Sequence, residues 1–260
     1  MKIKFFVFLI LVSLVTYLQA QDKSLYKKEI FVVNSDTLPY RILLPLNYNA
    51  SKKYPLILML HGAGERGNDN ESQLVHGAGL FLRDSIREKY PAIVLFPQCP
   101  VNSYWSNMDF KLDKSGKKEF LFKSGGKPTT AMDLAQQLLK KIIKDLPVNK
   151  KQIYVGGLSM GGMGTFEMVR RNPKLFVAAF PICGGADTAT AQQLTKVKWW
   201  VFHGAADDVV SPVYSQKMVD ALKAVNADVK FSLYPGVTHN SWDNAFAEPT
   251  LMAWLFSISK

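Results

Sequence analysis

The stretch of residues 154–164 constrains the fold of this chain most, because it combines a strand, a serine between glycines and the start of a helix. Residues 157–161 are G-L-S-M-G, the G-x-S-x-G pattern of a nucleophile elbow. Such a turn forces the serine into a crowded backbone conformation, and glycines at 157 and 161 remove the Cβ atoms that would clash. We therefore expect the hydroxyl of Ser159 to stand exposed between a strand and a helix.

A catalytic serine needs a general base, and the four histidines of the chain are the candidates. Enzymes with this elbow carry the three groups in the order serine, acid, histidine, so His61 and His76, which precede Ser159, are poor candidates. His239 lies in a turn-rich loop after the strand-like residues 229–234, and it is the only histidine after the candidate acid. We therefore predict that His239 is the base.

The remaining histidine, His203, helps to locate the acid. Residues 199–202 are an apolar run, and residues 203–210 are H-G-A-A-D-D-V-V, a pattern typical of a strand that presents an acid from the loop after it. Asp207 is the predicted acid. Asp208 is the alternative, because it is adjacent and equally polar.

Two backbone amides are expected to stabilise the oxyanion of the reaction. The first belongs to Met160, whose N–H would lie at the N-terminal end of the helix after the elbow. The second should come from the loop after an earlier central strand, and residues 56–60 are an apolar run followed by H-G-A-G. We predict Ala63 as this donor, with Gly64 as the alternative if the register differs by one residue.

Together these motifs resemble those of one known group of proteins. Residues 61–70 (HGAGERGNDN), 157–162 (GLSMGG), the motif around Asp207 and residues 236–242 (GVTHNSW) are similar to those of secreted bacterial esterases of the α/β-hydrolase superfamily. The nearest groups are known as predicted peptidases or phospholipase/carboxylesterase-like proteins and are related to feruloyl and acetylxylan esterases. The resemblance covers about residues 28–260. It implies a serine carboxylic-ester hydrolase that needs no cofactor.

Strand-like and helix-like segments alternate along the chain, which predicts an α/β fold. The resemblance specifies it as the α/β-hydrolase fold: a doubly wound, mostly parallel sheet with helices on both faces, in a single domain without a large lid. The predicted strands are 29–33, 38–44, 56–60, 92–96, 153–156, 177–182, 199–203 and 229–234, of which the first two should form an antiparallel hairpin. The predicted helices are 130–144, 162–171, 211–225 and 244–258. The candidate site residues would then all lie at the carboxyl ends of strands.

The N-terminus has the features of a secretory signal peptide. Lys2 and Lys4 supply positive charge, residues 5–18 are apolar, and Ala20 is a small residue at a cleavage position. The apolar run is shorter than the about 20 residues of a transmembrane anchor. We predict a signal peptide over residues 1–20, a catalytic domain over residues 21–260, and a secreted or periplasmic protein without a stable membrane anchor.

The chain is basic, with a formal net charge of +11 that falls by two to +9 when Lys2 and Lys4 leave with the signal peptide. The lysines are dispersed and do not alternate with aromatic residues, so we predict no nucleic-acid partner. The densest stretch, 111–127, lies in a segment that is longer than in the simplest members of the resembled group, and its Ser-Gly breaks predict a mobile surface excursion. The metal motifs HExxH and CxxC are missing, and so is a phosphate-binding loop, so a metal or nucleotide has no support.

Two cysteines could form a disulfide in an oxidising compartment. Cys99 follows strand 92–96 and Cys183 follows strand 177–182, and the family strand order would place two strands between them. Three steps of about 4.8 Å separate the strand ends by roughly 14 Å, whereas a disulfide needs Cα atoms within about 7 Å. Two free, mostly buried thiols are therefore predicted.

Three residues are candidates for substrate contact. Gln98 and Trp105 follow a central strand at the same edge of the sheet, and Trp242 comes three residues after the predicted base. Trp105 could stack against a sugar or an aromatic acid, or it could seal the edge of the core. Trp242 could instead pack against His239 and position it.

The favoured function is hydrolysis of acetyl or feruloyl esters on a plant-type polysaccharide. The signal peptide and the resemblance to esterases that act on plant cell walls support this choice, and a small-molecule ester is the other substrate class. One alternative is a serine peptidase of the same fold. The other is a non-catalytic glycan-binding protein on a hydrolase scaffold, which a complete triad disfavours.

Overall fold

A computed structural model describes residues 22–114, 116 and 118–260. The predicted signal peptide lies outside the described residues, and its cleavage stays a prediction. The strands are β1 (Lys27–Val33), β2 (Asp36–Leu43), β3 (Tyr54–Leu60), β4 (Ile93–Pro97), β5 (Met108–Leu112), β6 (Lys118–Phe122), β7 (Val148–Leu158), β8 (Ala178–Ile182), β9 (Lys198–Gly204) and β10 (Val229–Tyr234). The helices are α1 (Ala78–Leu82), α2 (Asp84–Lys89), α3 (Thr130–Asp145), α4 (Met160–Arg171), α5 (Pro212–Ala224), α6 (Trp242–Ala247) and α7 (Leu251–Ser257).

Eight strands form one sheet in the order β1-β2-β4-β3-β7-β8-β9-β10. The first two strands form the predicted antiparallel hairpin, β2 is antiparallel to β4, and the remaining neighbours are parallel. Helices α3, α4 and α5 pack on one face of the sheet, whereas α1, α6 and α7 pack on the other. The predicted doubly wound, mostly parallel sheet with helices on both faces is confirmed.

The burial of the central strands explains their composition. Every residue of β3, β4 and β8 is buried, because helices cover both faces of the parallel part of the sheet. The edge strand β1 differs, since Ile30 and Val32 are exposed. The parallel strands bring their carboxyl ends to one edge, and the loops that leave this edge carry the candidate site.

The C-terminal part of the chain differs from its prediction. Instead of one helix over 244–258, the structure has the two short helices α6 and α7. Pro249 lies between them, and Glu248 before it has an extended backbone with ψ 113°. Proline disfavours the helical conformation in the residue before it, which ends α6 there.

The lysine-rich segment contains two strands that the sequence analysis did not predict, and its mobility stays a prediction. Strands β5 and β6 form a two-stranded antiparallel hairpin, and ion pairs join Lys111 to Glu119 and Lys123 to Asp109 across it. Its inward side is anchored on α5: the buried ring of Phe120 lies edge-on to Tyr214 at 5.8 Å. Lys111, Lys118 and Lys123 are therefore exposed side chains of a hairpin that contacts the rest of the fold through Phe120.

The two cysteines are free and buried, as predicted. Cys99 follows β4 and Cys183 follows β8, and β3 and β7 lie between these strands in the sheet. None of the helices in the described ranges combines the length and the hydropathy needed to cross a bilayer.

Candidate active site

Ser159 lies at the junction of β7 and α4 in a strained conformation. Its backbone has φ 52° and ψ −116°, outside the regions that a residue with a side chain ordinarily adopts. A Cβ at Gly157 would lie 2.6 Å from the carbonyl oxygen of Leu60, and a Cβ at Gly161 would collide with the same oxygen. The two glycines therefore allow α4 to pass close enough to β3 for the turn to form.

Three side chains from separate loops meet in a hydrogen-bonded chain. Ser159 Oγ lies 3.0 Å from His239 Nε2, and His239 Nδ1 lies 2.8 Å from Asp207 Oδ2. Asp207 follows β9 and His239 follows β10, so both come from the carboxyl ends of neighbouring parallel strands. The neighbouring Asp208 is exposed. The geometry therefore favours Asp207 over Asp208 as the acid.

The carboxylate of Asp207 has a full set of donors. Its Oδ1 accepts hydrogen bonds from the backbone amides of Val209 and Val210, each at 2.9 Å. Burial would raise the pKa of this carboxyl group, but the hydrogen bonds from His203, His239 and the Val210 amide outweigh burial and hold the pKa below its ordinary value. Asp207 therefore stays ionised and can orient the His239 ring.

The two predicted oxyanion donors each begin a helix. Met160 is the first residue of α4, and Ala63 is the first residue of a 3₁₀ turn over Ala63–Glu65. The amide of a first helical residue has no acceptor within its own helix, so both N–H groups are free to bind an oxyanion. Gly64 is exposed.

His61, which the chain order rejects as a base, orients the loop that carries Ala63. Its Nδ1 lies 2.7 Å from the carbonyl oxygen of Gly62, and its Nε2 lies 2.9 Å from the amide nitrogen of Cys99. An amide can only donate, so Nε2 accepts and Nδ1 carries the proton. Burial lowers the pKa of His61 to about 4, which keeps this neutral form.

The bond from His61 also sets the direction of the Ala63 amide. In a trans peptide the carbonyl of one residue and the N–H of the next point in opposite directions. Because His61 holds the Gly62 oxygen, the Ala63 N–H is turned away from His61. The sequence analysis did not assign this positioning role to His61, although the His-Gly pair directly after the strand could have indicated it.

Two of the predicted substrate contacts point into the protein. Trp105 has no exposed surface, its indole N–H donates to the His61 carbonyl oxygen at 3.2 Å, and its side chain packs against Gly164 of α4. A ring enclosed in this way presents no face to a ligand. The prediction that Trp105 walls the pocket was wrong, and the alternative, a ring that seals the core, describes it.

Gln98 is also fully buried, and it braces the loop after β3. Its amide nitrogen donates to Asp69 Oδ1 at 2.7 Å and to the Glu65 carbonyl oxygen at 3.2 Å, while its amide oxygen accepts from the Asn70 backbone at 2.7 Å. All its polar atoms are occupied by this loop. The prediction that Gln98 contacts the substrate was therefore wrong, because its side chain binds this loop instead.

Trp242 is half-buried beside the base. Its ring lies edge-on to His239 with 5.3 Å between centroids, and it also contacts His76 at 5.0 Å. His76 Nε2 in turn lies 3.8 Å from a carboxylate oxygen of Glu65. Glu65 belongs to the segment 61–70 after β3, which carries the predicted donor Ala63 and is called the oxyanion loop below. Trp242 thus supports the ring of His239, and a contact with ligand stays a prediction.

An open groove of about 480 Å³ adjoins the oxyanion loop. Arg66 joins the two, because its Nε donates to the Ala63 carbonyl oxygen at 3.0 Å while its side chain lines the groove. The guanidinium lies 5.8 Å from the centre of the Tyr104 ring, and Met108 adds an apolar surface. An aromatic ring, a thioether and several hydroxyl groups therefore lie next to the loop that presents Ala63.

Cys183 lies behind the three linked side chains. Its sulfur and the donor atoms of Asp207 and His239 lie within 4.8 Å of one another, a spacing that could suit a metal ion. Burial raises the pKa of this thiol, whereas a metal binds the thiolate, and the facing atoms of Asp207 and His239 already bond to each other. The group therefore fits a hydrogen-bonded site better than a metal centre.

A serine on a strand-to-helix elbow, with an acid and a histidine on the next loops of a mostly parallel sheet, defines the chain as an α/β-hydrolase. A family model described as "Putative esterase" matches residues 35–229, and the chain belongs to this esterase family. A solved structure titled as a thermostable esterase superposes with a TM-score of 0.82 at 32% identity, over 91% of this chain and 64% of the other. A ferulic acid esterase from Anaeromyces mucronatus, in complex with ferulic acid, superposes with a TM-score of 0.60 at 15% identity over 87% and 89%, which shows the fold alone.

Curated relatives are more distant. An endo-1,4-beta-xylanase/feruloyl esterase of Xylanibacter ruminicola is 26% identical over 76% of this chain, which spans only 26% of that relative. A lysophospholipase-like protein 1 of Mus musculus is 23% identical over 70% of this chain and 79% of its own length. The family relationship is therefore clear, while the relatives differ in the substrates that their names imply.

Proposed function

We propose that this protein is a secreted serine esterase that cleaves carboxylic esters through an acyl-enzyme. The observation that carries the proposal is the unbroken chain from Ser159 Oγ to His239 at 3.0 Å and from His239 to Asp207 at 2.8 Å. A base at this distance can take the serine proton, and a buried ionised acid can stabilise the imidazolium that forms.

In the proposed reaction, Ser159 attacks the ester carbonyl while His239 Nε2 takes its proton. The amides of Ala63 and Met160 bind the oxyanion of the tetrahedral intermediate, and His239 then returns the proton to the departing alcohol. A water molecule repeats these steps on the acyl-enzyme and frees the acid. Asp207 keeps its negative charge throughout.

For the substrate, we propose a small acyl group on a plant-type polysaccharide, either acetyl or feruloyl. The name of one relative, which combines xylanase and feruloyl esterase, supports this choice, as does the neighbour in complex with ferulic acid. The groove beside the oxyanion loop adds a structural argument, because Tyr104 and Met108 line it and offer surfaces for an aromatic acid.

The test is kcat/KM on acetylated xylan, methyl ferulate, p-nitrophenyl esters of increasing chain length and a peptide anilide, with Ser159→Ala as the control. We expect turnover of the short or aromatic esters and a loss in the variant of up to about 10⁶-fold in kcat. A tenth of the wild-type activity in purified Ser159→Ala would refute the triad. If kcat/KM rises steadily with chain length, each added methylene is being buried for about 0.8 kcal/mol, and the enzyme is lipolytic instead. Preference for the anilide would indicate a peptidase.

The proposed secretion has its own test. Expression with the native N-terminus in a bacterial host should give a periplasmic or extracellular protein that begins at Gln21. An intact N-terminus on protein recovered from the cytoplasm would contradict it.

A further inference from the structure

His203 is a buried titratable group that the reaction above does not use. It lies near the end of β9, four residues before Asp207, and its side chain has no exposed surface. Both ring nitrogens nevertheless have close polar neighbours. Inside the protein, each such close contact between polar atoms needs a proton from one of its two partners.

The contacts of Nδ1 show that this nitrogen carries a proton. Nδ1 lies 2.7 Å from Ser215 Oγ, and the same oxygen lies 2.7 Å from the carbonyl oxygen of Gly184. A hydroxyl has one proton, and a carbonyl has none. Ser215 must therefore donate to Gly184 and accept from His203.

The contacts of Nε2 lead to the same result. This nitrogen lies 2.8 Å from the carbonyl oxygen of Val210 and 3.1 Å from Asp207 Oδ2. Neither oxygen can donate, because one is a carbonyl and the other belongs to the carboxylate that accepts from His239 and two amides. Nε2 therefore also carries a proton. A neutral ring would leave one lone pair facing another inside the protein.

We propose that His203 is an imidazolium that positions Asp207 and offsets its charge, so that the acid of the triad serves two histidines. The same atom, Asp207 Oδ2, accepts from His203 at 3.1 Å and from His239 at 2.8 Å. The catalytic consequence rests on the proposed function, whereas the charge of His203 does not. His203 touches no substrate, so it acts through Asp207.

A positive charge on His203 lies close to His239, because both rings contact the same carboxylate oxygen of Asp207. His203 Nε2 lies 3.1 Å and His239 Nδ1 lies 2.8 Å from the shared oxygen, so the two nitrogens are less than about 6 Å apart. The titratable groups against the Asp207 carboxylate are His203 from β9, His239 from the loop after β10 and the Cys183 thiol after β8. At an effective dielectric constant of about 20, a unit charge at this distance moves a titration by about one to two pH units.

The kinetic test compares His203→Gln with Asp208→Asn. Glutamine can place an uncharged amide donor near the position of Nε2. Asp208 is an exposed acid, so Asp208→Asn is the control for removing a charge that lies nearby but in water. We expect the acid limb of the kcat/KM profile to move upward by about one to two pH units in His203→Gln, with KM nearly unchanged. In Asp208→Asn the limb should stay in place. A folded His203→Gln variant with the wild-type limb, whatever its Tm, would overturn the proposal.

A second measurement keeps the proposal testable if His203→Gln does not fold. In wild-type protein with ¹⁵N-labelled histidine, both ring nitrogens of His203 should carry protons at pH 7, with Ser215→Ala used to assign the signals. A bare ring nitrogen would overturn the assignment of charge. If the wild type hydrolyses no ester at all, the proposed function fails, yet the NMR result still decides the state of His203.

Discussion

Replacing His61 with glutamine should make the stability of the protein less sensitive to acid. Burial lowers the pKa of His61 from 6.5 to about 4. Between these values the unfolded chain binds a proton at this residue and the folded chain does not, so the free energy of unfolding falls as the pH falls. Below pH 4 both states bind the proton, and this contribution levels off.

The magnitude follows from the size of the pKa shift. A shift from 6.5 to about 4 corresponds to about 3 kcal/mol, since one pKa unit is about 1.4 kcal/mol. Glutamine does not titrate, and its side-chain oxygen can accept the hydrogen bond that the Cys99 amide donates to Nε2. It cannot reproduce the bond to Gly62, so the free energy of unfolding of the variant should be about 1 kcal/mol lower at pH 7. Its kcat should also be lower, because this bond orients the Ala63 amide.

The assay is urea unfolding at pH 4, 5, 6 and 7, followed by tryptophan fluorescence. The free energy of unfolding of wild type minus that of His61→Gln should be positive at pH 7 and should fall by about 3 kcal/mol by pH 4. His76→Gln removes a partly exposed histidine, and a change of this size should not appear there. Parallel curves for wild type and His61→Gln would refute the reasoning.

Three further predictions concern other parts of the site. Asp207→Asn should reduce kcat far more than Asp208→Asn, because only Asp207 contacts the base; the reverse ranking in steady-state kinetics would move the acid by one residue. Gly62→Ala should reduce activity, since its Cβ would lie 2.9 Å from both Leu158 and Glu65, whereas Gly64→Ala has open space and should retain it; equal kcat/KM values would contradict this. The two thiols should react with Ellman's reagent only after unfolding, because they are buried and burial raises the pKa of each; rapid labelling of native protein would disagree.

The fold could be predicted from the sequence because its signals are local. The buried runs of β3, β4 and β8 are continuous in the sequence, and an alternation of strands and helices implies parallel pairing. The differences also have local causes. Pro249 ends α6, and Phe110 lies opposite Phe120 in the register of β5 and β6, a cross-strand pair of the kind that stabilises a hairpin.

The sequence by itself determined which residues could form the site. Gly157 and Gly161 leave room for the crowded turn around Ser159, and the ends of parallel strands must share an edge, which brings the loops of Asp207 and His239 together. The steric argument involves only residues next to Ser159, and the position of the loops follows from the parallel pairing of the strands. Neither argument needs the positions of individual side chains.

Only the tertiary structure decided where the neighbouring side chains point. Trp105 and Gln98 follow the right strand, yet packing against α4 and hydrogen bonds to the oxyanion loop turn both of them inward. His203 lies four residues from Asp207 in the sequence, yet its Nδ1 contacts Ser215, which is twelve residues away along the chain. Side-chain direction follows from which distant groups supply space and partners, and those groups meet only when the chain is folded.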